Sequence, residues 1–476
     1  MAARVLRVRD SANDDLRKGI ATIQEEQKVS PEFPEDVERE AAAAAGQARL
    51  PEKDLTDLAF VTIDPESSMD LDQAMYLERD GDGYLVHYAI ADVAAFVEPG
   101  GAIDAEVRRR GETLYGADSK IPLHPTVLSE GAASLLPDVV RPALVWRIGL
   151  DARGTITAAT VERARVKSRA KLSYDGVQAE IDAGTADEMF GILEEIGTLR
   201  IQQEADRGGV SLPRPEQEIV IDDDTWRLEF RDVKPVEGWN AQISLLTGIA
   251  AASIMLEGKV GILRTLPPSD PKAVERLRRT AKALRIDWPE GEAYPAFVRS
   301  LDPSKPSHQA MVVACTSLLR GAGYTVFDGD FPKITEHAAL ATTYAHVTAP
   351  LRRLIDRYAE EICVALCAGE RPPAWVLEAM PDLPSTMQEA GRRANSYEHA
   401  VTDLVEAELL KGSVGERFTG VVLEADGDDP KHGLLQIAEP AVAARVVGDD
   451  PLPVGAEIEV VLAVADPTQR KVEFRR

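Results

Sequence analysis

From Arg163 to Leu172 the chain alternates without a break: Arg163, Arg165, Lys167, Arg169 and Lys171 take every second position, with Ala164, Val166, Ser168, Ala170 and Leu172 between them. Only an extended backbone sorts residues with a period of two, so a strand is expected here, one face buried and the other presenting five cations. At about 3.3 Å per residue the cations would stand roughly 6.5–7 Å apart, close to the spacing of phosphates on an extended single strand. The alternative is a basic row neutralised by the chain's own carboxylates, and composition gives it weight. Among 476 residues there are 54 Lys and Arg against 80 Asp and Glu, a formal charge of −26. So acidic a chain does not coat polyanions indiscriminately, although a basic groove inside an acidic shell is allowed.

A chain of this length is expected to fold as about three units. Leu16, Ile20 and Ile23 fall on one face of a short amphipathic helix near Asn13 to Gln27; Pro31 and Pro34 then break it, and a second helical run follows from Glu35 to Ala48. The main unit is expected to begin near Asp54 and to mix α and β, with helical patterns dominating from Pro235 to about Lys411. Past Gly415 the chain turns Val- and Gly-rich, with short strands such as Phe418–Leu423 and Glu457–Leu462, the pattern of a small all-β barrel. The fold class expected is therefore α+β. Cys315, Cys363 and Cys367 are the only cysteines and have no partner cluster, so neither a disulfide framework nor a zinc site is expected. The N-terminus lacks an apolar signal region, no run of 18 apolar residues occurs, and a cytoplasmic protein is the expectation.

Chemistry is concentrated in two segments. In Phe60-Val-Thr-Ile-Asp64-Pro-Glu-Ser-Ser-Met-Asp70-Leu-Asp72, three aspartates follow directly on an apolar strand. Asp70 and Asp72, two apart, project to one side of an extended backbone, and Asp64 can return to them across the loop. Such hard oxygen ligands suit Mg²⁺ or Mn²⁺; a solvated acidic loop is the plainer reading. Asp80-Gly-Asp82-Gly83 lacks the glutamate that closes a calcium loop and is read as a hairpin turn. In the second segment, Tyr344 to Arg357, Thr348 ahead of Pro350 marks a helix start, which would put Arg352 near a positive helix end able to grip a phosphate. Arg353, Asp356 and Arg357 can equally pair among themselves on a helix face. Tyr174, just past the basic run, could stack on a base.

Taken in order, these motifs resemble the ribonuclease II/ribonuclease R family, whose catalytic unit is the RNB domain. The resemblance includes Phe60 through Asp72, His87-Tyr-Ala-Ile-Ala-Asp-Val, Arg110-Gly-Glu-Thr-Leu-Tyr115, Ile121-Pro-Leu-His-Pro, Ser134-Leu-Leu-Pro-Asp, Lys171-Leu-Ser-Tyr174, and Tyr344 to Asp356 against a T-S-P-I-R-R-Y-x-D signature. Gly415 to Arg476 resembles the family's C-terminal S1 domain, an OB-type barrel. The resemblance implies a short helical region over 1–53, an RNB domain over 54–411 and an S1 domain over 412–476. It implies a 3′→5′ hydrolytic exoribonuclease that threads single-stranded RNA and releases nucleoside 5′-monophosphates with the help of Mg²⁺, or Mn²⁺. Asp64, Asp70 and Asp72 match metal-coordinating carboxylates, with Asp72 and Arg352 carrying catalysis. Tyr115 matches an aromatic that packs on the 3′-terminal bases. Arg163, Arg165, Lys167, Arg169, Lys171, Tyr174 and Arg353 are the further expected RNA contacts. A monomer with no membrane association and no dinucleotide cofactor is expected.

The departures from the family pattern carry their own expectations. Gln73 stands where a fourth aspartate is usual; an amide oxygen can ligate but brings no charge, so one ion would bind more weakly. Ala349 and Leu354 replace a Ser and a Tyr of the signature, Glu360-Glu361 replace His-Arg, and Ala241-Gln242 replace a Glu pair. About 50 N-terminal residues leave no room for two cold-shock domains. A catalytically impaired RNA-binding relative is the main rival reading; an unrelated hydrolase using Asp64 and Asp72 as an acid/base pair is a third.

Overall fold

The amphipathic N-terminal stretch forms α1 (Asp10–Gln27), and Leu16, Ile20 and Ile23 are all buried. After the proline break, α2 (Glu35–Ala45) places Glu35, Asp36 and Glu38 in its first turn, where the helix dipole favours them. The computed structural model describes residues 10–117, 119–212, 216–222, 225–231 and 233–476. The next elements are β1 (Val61–Ile63), β2 (Gln73–Asp80), β3 (Gly83–Ala91), α3 (Ala102–Arg110), β4 (Leu114–Tyr115), β5 (Lys120–Ile121), β6 (Val140–Leu150), β7 (Ile156–Lys167) and β8 (Ala170–Leu172). Six of these strands build one sheet in the order β7-β6-β3-β2-β1-β8. Its β2–β3 hairpin turns at Gly81, whose φ of +59° suits glycine, and Asp80 pairs with Gly83.

The basic run is not one strand, which corrects the sequence expectation. Arg163, Arg165 and Lys167 lie on β7 at one edge of the sheet order, and Lys171 lies on β8 at the other. Lys167 and Ala170 are three residues apart, about 10 Å at most, so the two edges are drawn together and the sheet curls. Residues 53–55 lean on β7, with Leu55 N donating to Arg165 O, before the chain enters β1. The period of two survived the corner because it reports which side is buried, and Ala164, Val166 and Ser168 are all buried.

Beyond the sheet come α4 (Tyr174–Asp182), capped by the Ser173 hydroxyl, α5 (Glu188–Arg207), the hairpin β9 (Glu216–Asp222) and β10 (Thr225–Arg231), α6 (Pro235–Gly258) and β11 (Val260–Thr265). By length and composition α6 could cross a membrane, but Ile243, Leu246, Ala250, Ala251 and Met255 are buried in the main core; its apolar composition is that of a central helix. A small separate core holds α7 (Pro271–Ala283), α8 (Tyr294–Arg299) and α9 (Pro306–Cys315) together around Leu277, Phe297 and Met311. Then β12 (Gly323–Asp328) pairs with β11, and β13 (Glu336–His337) and β14 (Thr342–Thr343) lead into a loop before α10 (Leu354–Cys367), α11 (Ala374–Ala379) and α12 (Leu383–Leu410). The C-terminal strands β15 (Arg417–Ala425), β16 (His432–Ile437), β17 (Val442–Val447), β18 (Glu457–Asp466) and β19 (Lys471–Arg475) close a barrel in the order β15-β16-β17-β19-β18, the OB-type architecture expected.

The 28-residue helix α12 links two cores: Leu383 and Met387 pack in the main one, while Tyr397, Val401, Leu404 and Leu410 pack in a second. That second core is shared by the barrel, by Leu16, Ile20 and Ile23 of α1, and by Trp226 and Leu228 of the β9–β10 hairpin. The N-terminal helix is thus a buttress for the barrel rather than a unit of its own, with Glu26 paired to Arg470 at 2.8 Å.

Candidate active site

Asp64 follows the last residue of β1, and its amide donates to Leu172 O of β8. The loop from there to Asp72 is pinned by Ser134, whose hydroxyl donates to Met69 O (2.6 Å) and accepts from Leu71 N (3.0 Å). Asp72 is 5% exposed. Its Oδ1 accepts from Leu351 N at 2.7 Å, and its Oδ2 lies 3.3 Å from Arg352 Nε. Burial pushes its carboxyl up to about 8 against the pull of Arg352, and burial pushes Asp64 up to about 6, again opposed by Arg352 and helped by the neighbouring charge of Asp70. The structure therefore brings Asp64, Asp70, Asp72 and Arg352 into one field. Their donor set is hard oxygen, buried at Asp72 and half-buried at Asp64 and Asp70, and the three carboxylates outnumber the cations Arg352 and Lys120 beside them, which is an environment a divalent cation fits. Among the described residues, however, no three His, Cys, Asp or Glu side chains form a ready-made ligand set.

Asp70 and Gln73 are engaged by other partners. Asp70 accepts from Lys120 Nζ at 2.7 Å, and the same ammonium lies 2.9 Å from Glu130. Gln73 donates through Nε2 to Thr348 O (2.5 Å) and accepts at Oε1 from the Tyr88 hydroxyl (2.6 Å). The amide expected to ligate an ion is instead a strut between β2, β3 and the arginine loop.

That loop also departs from expectation. The helix starts at Leu354, not at Thr348, and Arg353 precedes it in an extended conformation. Asp356 is responsible: its fully buried carboxylate accepts from Ala349 N at 2.8 Å and holds Arg353 through two nitrogens, drawing the chain back over the helix end. Arg352 accordingly sits on the loop two residues ahead of the helix, braced by Thr113 N donating to its carbonyl, rather than within a first turn. Its side chain stays 47% open. Close approach to the neighbouring helix requires Gly248, where an added Cβ would meet the Tyr344 ring at 2.1 Å.

Of the expected RNA contacts, Tyr115 is 44% exposed at the end of β4, and the charges of Arg352, Asp70, Asp72 and Lys120 all act on its phenol, so it faces the site. Tyr174 begins α4 with its hydroxyl accepting from Asn240 Nδ2 (3.0 Å), within the field of Asp64. Four of the five cations of the basic run are engaged elsewhere. Arg163 pairs with Asp92 and Glu361, Arg165 with Asp54, Arg169 with the carbonyls of Thr56 and Asp57, and Lys171 with Glu66 O. Arg353 is committed to Asp356. Carboxylates of the chain neutralise Arg163 and Arg165, Arg169 is held by carbonyls, and Arg353 is paired with Asp356; of that row, Lys171 is the cation whose charge acts on Asp64. Glu361, one of the departures, is explained by Arg163, which supplies from β7 the guanidinium that the helix lacks. Glu360 is fully buried against Trp146 Nε1, and burial holds its carboxyl far above the usual range.

Sequence reasoning missed Lys120, Glu130 and Tyr88. For Tyr88 a signal existed: the hairpin turn at Gly81 sets Gln73 opposite Ile90, which places Tyr88 diagonally across on the same face. Nothing local announces Lys120, whose partner is 50 residues away. Also unforeseen is a cluster beside Arg353, in which Arg264 lies 4.7 Å over the Tyr324 ring and the Tyr324 hydroxyl is 2.7 Å from His346 Nδ1.

Against known proteins, the family model "RNB domain" matches residues 52–368, and "RNase II-type exonuclease C-terminal S1 domain" matches 416–476. Ribonuclease R of Escherichia coli (strain K12) is 27% identical over 490 residues, covering 93% of this chain and 60% of that protein. Ribonuclease R of Mycoplasma pneumoniae is 26% identical, covering 79% and 54%. The chain thus spans about three-fifths, or less, of the length of these relatives. Among solved structures, Mycoplasma genitalium RNase R in complex with ribose-methylated single-stranded RNA superposes with a TM-score of 0.86 at 22% identity, over 97% of this chain and 78% of that one. Yeast Ssd1, a pseudonuclease, superposes with a TM-score of 0.71 at 15% identity, over 95% and 57%. At such identities the structural likeness speaks for the fold.

Proposed function

The chain belongs to the RNB-domain family, and from that premise we propose that it is a metal-dependent 3′→5′ hydrolytic exoribonuclease that degrades single-stranded RNA to nucleoside 5′-monophosphates. The observation that carries this reading is the convergence of buried Asp72 and half-buried Asp64 with half-open Arg352 and exposed Tyr115. Asp64, Asp70 and Asp72 would hold the ion, Mg²⁺ or alternatively Mn²⁺. When bound, a divalent ion lowers the pKa of an attacking water and screens phosphate charge.

The chain's own residues do the rest. Arg352, positioned by Asp72 and by its carbonyl bond to Thr113, presents free guanidinium donors to the non-bridging phosphate oxygens, where charge grows in the transition state. Leu351 N orients Asp72 by holding one carboxylate oxygen. The Tyr115 ring offers a base-indifferent stacking surface for the terminal nucleotide, as sequence-independent decay requires. Lys171 adds positive charge in the field of Asp64. The enzyme is proposed to act as a monomer in the cytoplasm, where RNA and magnesium are available.

Incubation of 5′-labelled single-stranded RNA with Mg²⁺ or Mn²⁺ tests the reading: progressive shortening from the 3′ end, abolished by EDTA, is the expected result. A rival reading, an RNA-binding relative without turnover, is favoured by the amide at Gln73 and by the fold shared with a pseudonuclease. An intact label with RNA still bound would establish it instead.

A further inference from the structure

We propose that this site holds a single divalent ion, and that Lys120 together with Arg352 carries the positive charge a second ion would otherwise bring. The inference deepens the metal-dependent reading and rests on it. Two ions about 3.5–4 Å apart add four positive charges and need a correspondingly anionic cage. When all three are ionised, as ligands to an ion must be, Asp64, Asp70 and Asp72 contribute three negative charges, and Lys120 and Arg352 return two of them. Even with Glu130 counted, the group is left one to two charges negative, enough for one divalent ion and short of two.

Geometry leads to the same count. The Lys120 ammonium is 2.7 Å from Asp70 Oδ1 and 2.9 Å from Glu130, so a cation already engages the two carboxylates that could extend the site toward a second ion. Its place is set by the β4–β5 pairing, which puts Lys120 directly opposite Tyr115 at the mouth of the site. At Gln73 the environment is built for an amide: Thr348 O requires a donor, and the fully buried Tyr88 hydroxyl requires an acceptor. A carboxylate there would face the Thr348 carbonyl with no proton to give, so the neutral residue is bonded into place rather than merely tolerated. Turning its oxygen toward an ion would break both bonds.

The test is a calorimetric Mn²⁺ titration of the full chain, alone and with a 2′-O-methylated oligoribonucleotide bound, read alongside the Mn²⁺ electron paramagnetic resonance spectrum. One Mn²⁺ per chain with an uncoupled spectrum is expected in both states. Two ions with exchange- or dipole-coupled lines would overturn the inference and leave the metal-dependent nuclease standing. Lys120→Met should tighten Mn²⁺ binding about tenfold by removing a cation from the cluster, and Lys120→Arg, which keeps the charge, should bind like the parent. Equal affinity of a folded Lys120→Met variant and the parent would show that Lys120 does not stand in for an ion. Absence of any Mn²⁺ binding by the parent would sink the metal-dependent reading itself, a result distinct from binding two.

Discussion

The aspartate loop from Asp64 to Gln73 and the basic run from Arg163 to Lys171 are both short local patterns, yet they met different fates. Two of the loop's carboxylates, Asp72 and Asp64, ended up in the field of one arginine, with Asp72 3.3 Å from Arg352, while Asp70 turned to Lys120. The run was split across two edges of a curled sheet and tied to Asp92, Glu361 and Asp54. A period of two assigns a face; it does not say what that face meets. In a chain with so many surplus carboxylates, an arginine on a surface strand finds an internal partner before it finds a phosphate.

The strongest way to sharpen this contrast is Asp72→Asn. Turnover should fall by about 10²–10³-fold, as when a group acting on the transition state is removed, with RNA affinity nearly unchanged in a filter-binding assay. Retained turnover would return the aspartate loop to an ordinary acidic surface. Arg163→Gln should do the reverse: RNA binding stays as it was, while unfolding in urea shows a loss of roughly 1–3 kcal/mol, because buried Asp92 and Glu361 lose the guanidinium that pairs them. The lower end is set by the partial exposure of Arg163. A drop in RNA affinity with unchanged stability would break the comparison.

A third prediction concerns the junction between the catalytic domain and the barrel. Burial raises Glu406 to about 7, while Gln217 Nε2 donates to it at 2.8 Å. An acid whose folded pKa is raised is a proton sink in the native state, so stability is highest below its unfolded pKa near 4.5 and declines as pH climbs toward 7. Glu406→Gln should remove that slope and add roughly 1–3 kcal/mol at pH 8, measured as Tm against pH. An unchanged profile would place the titration elsewhere. The smallest effect is expected for Arg165→Gln: its pair with Asp54 is half exposed, so stability should move by under about 0.5 kcal/mol. The log–log salt slope of RNA binding should not change, whereas a true phosphate contact would reduce it by about 0.7.

Much of the architecture was legible in advance. Leu16, Ile20 and Ile23 predicted the buried face of α1, Asp80 to Gly83 predicted the hairpin, and the Val-rich tail predicted a closed barrel. In each case the deciding physics is short-range: side-chain periodicity, turn conformation and the alternation of faces along a strand. The helix start failed for an equally specific reason. Thr348 and Pro350 look like a cap and a first turn, but the Asp356 carboxylate captured the Ala349 amide and moved the start to Leu354. A side chain seven residues ahead outcompeted the local cap, and only packed coordinates reveal which acceptor wins.

What the sequence by itself determined is the set of elements, the acidic segment after β1 and the ordered motifs that mark the family. What the tertiary structure decided is the pairing of charges: Lys120 with Asp70 across 50 residues, Arg163 with Glu361 across 198, and Leu351 N with Asp72 across 279. Backbone preference acts over a few residues and is written locally. Coulomb and hydrogen-bond energies depend on distance in space, and for residues this far apart in the chain that distance exists only once the fold has closed.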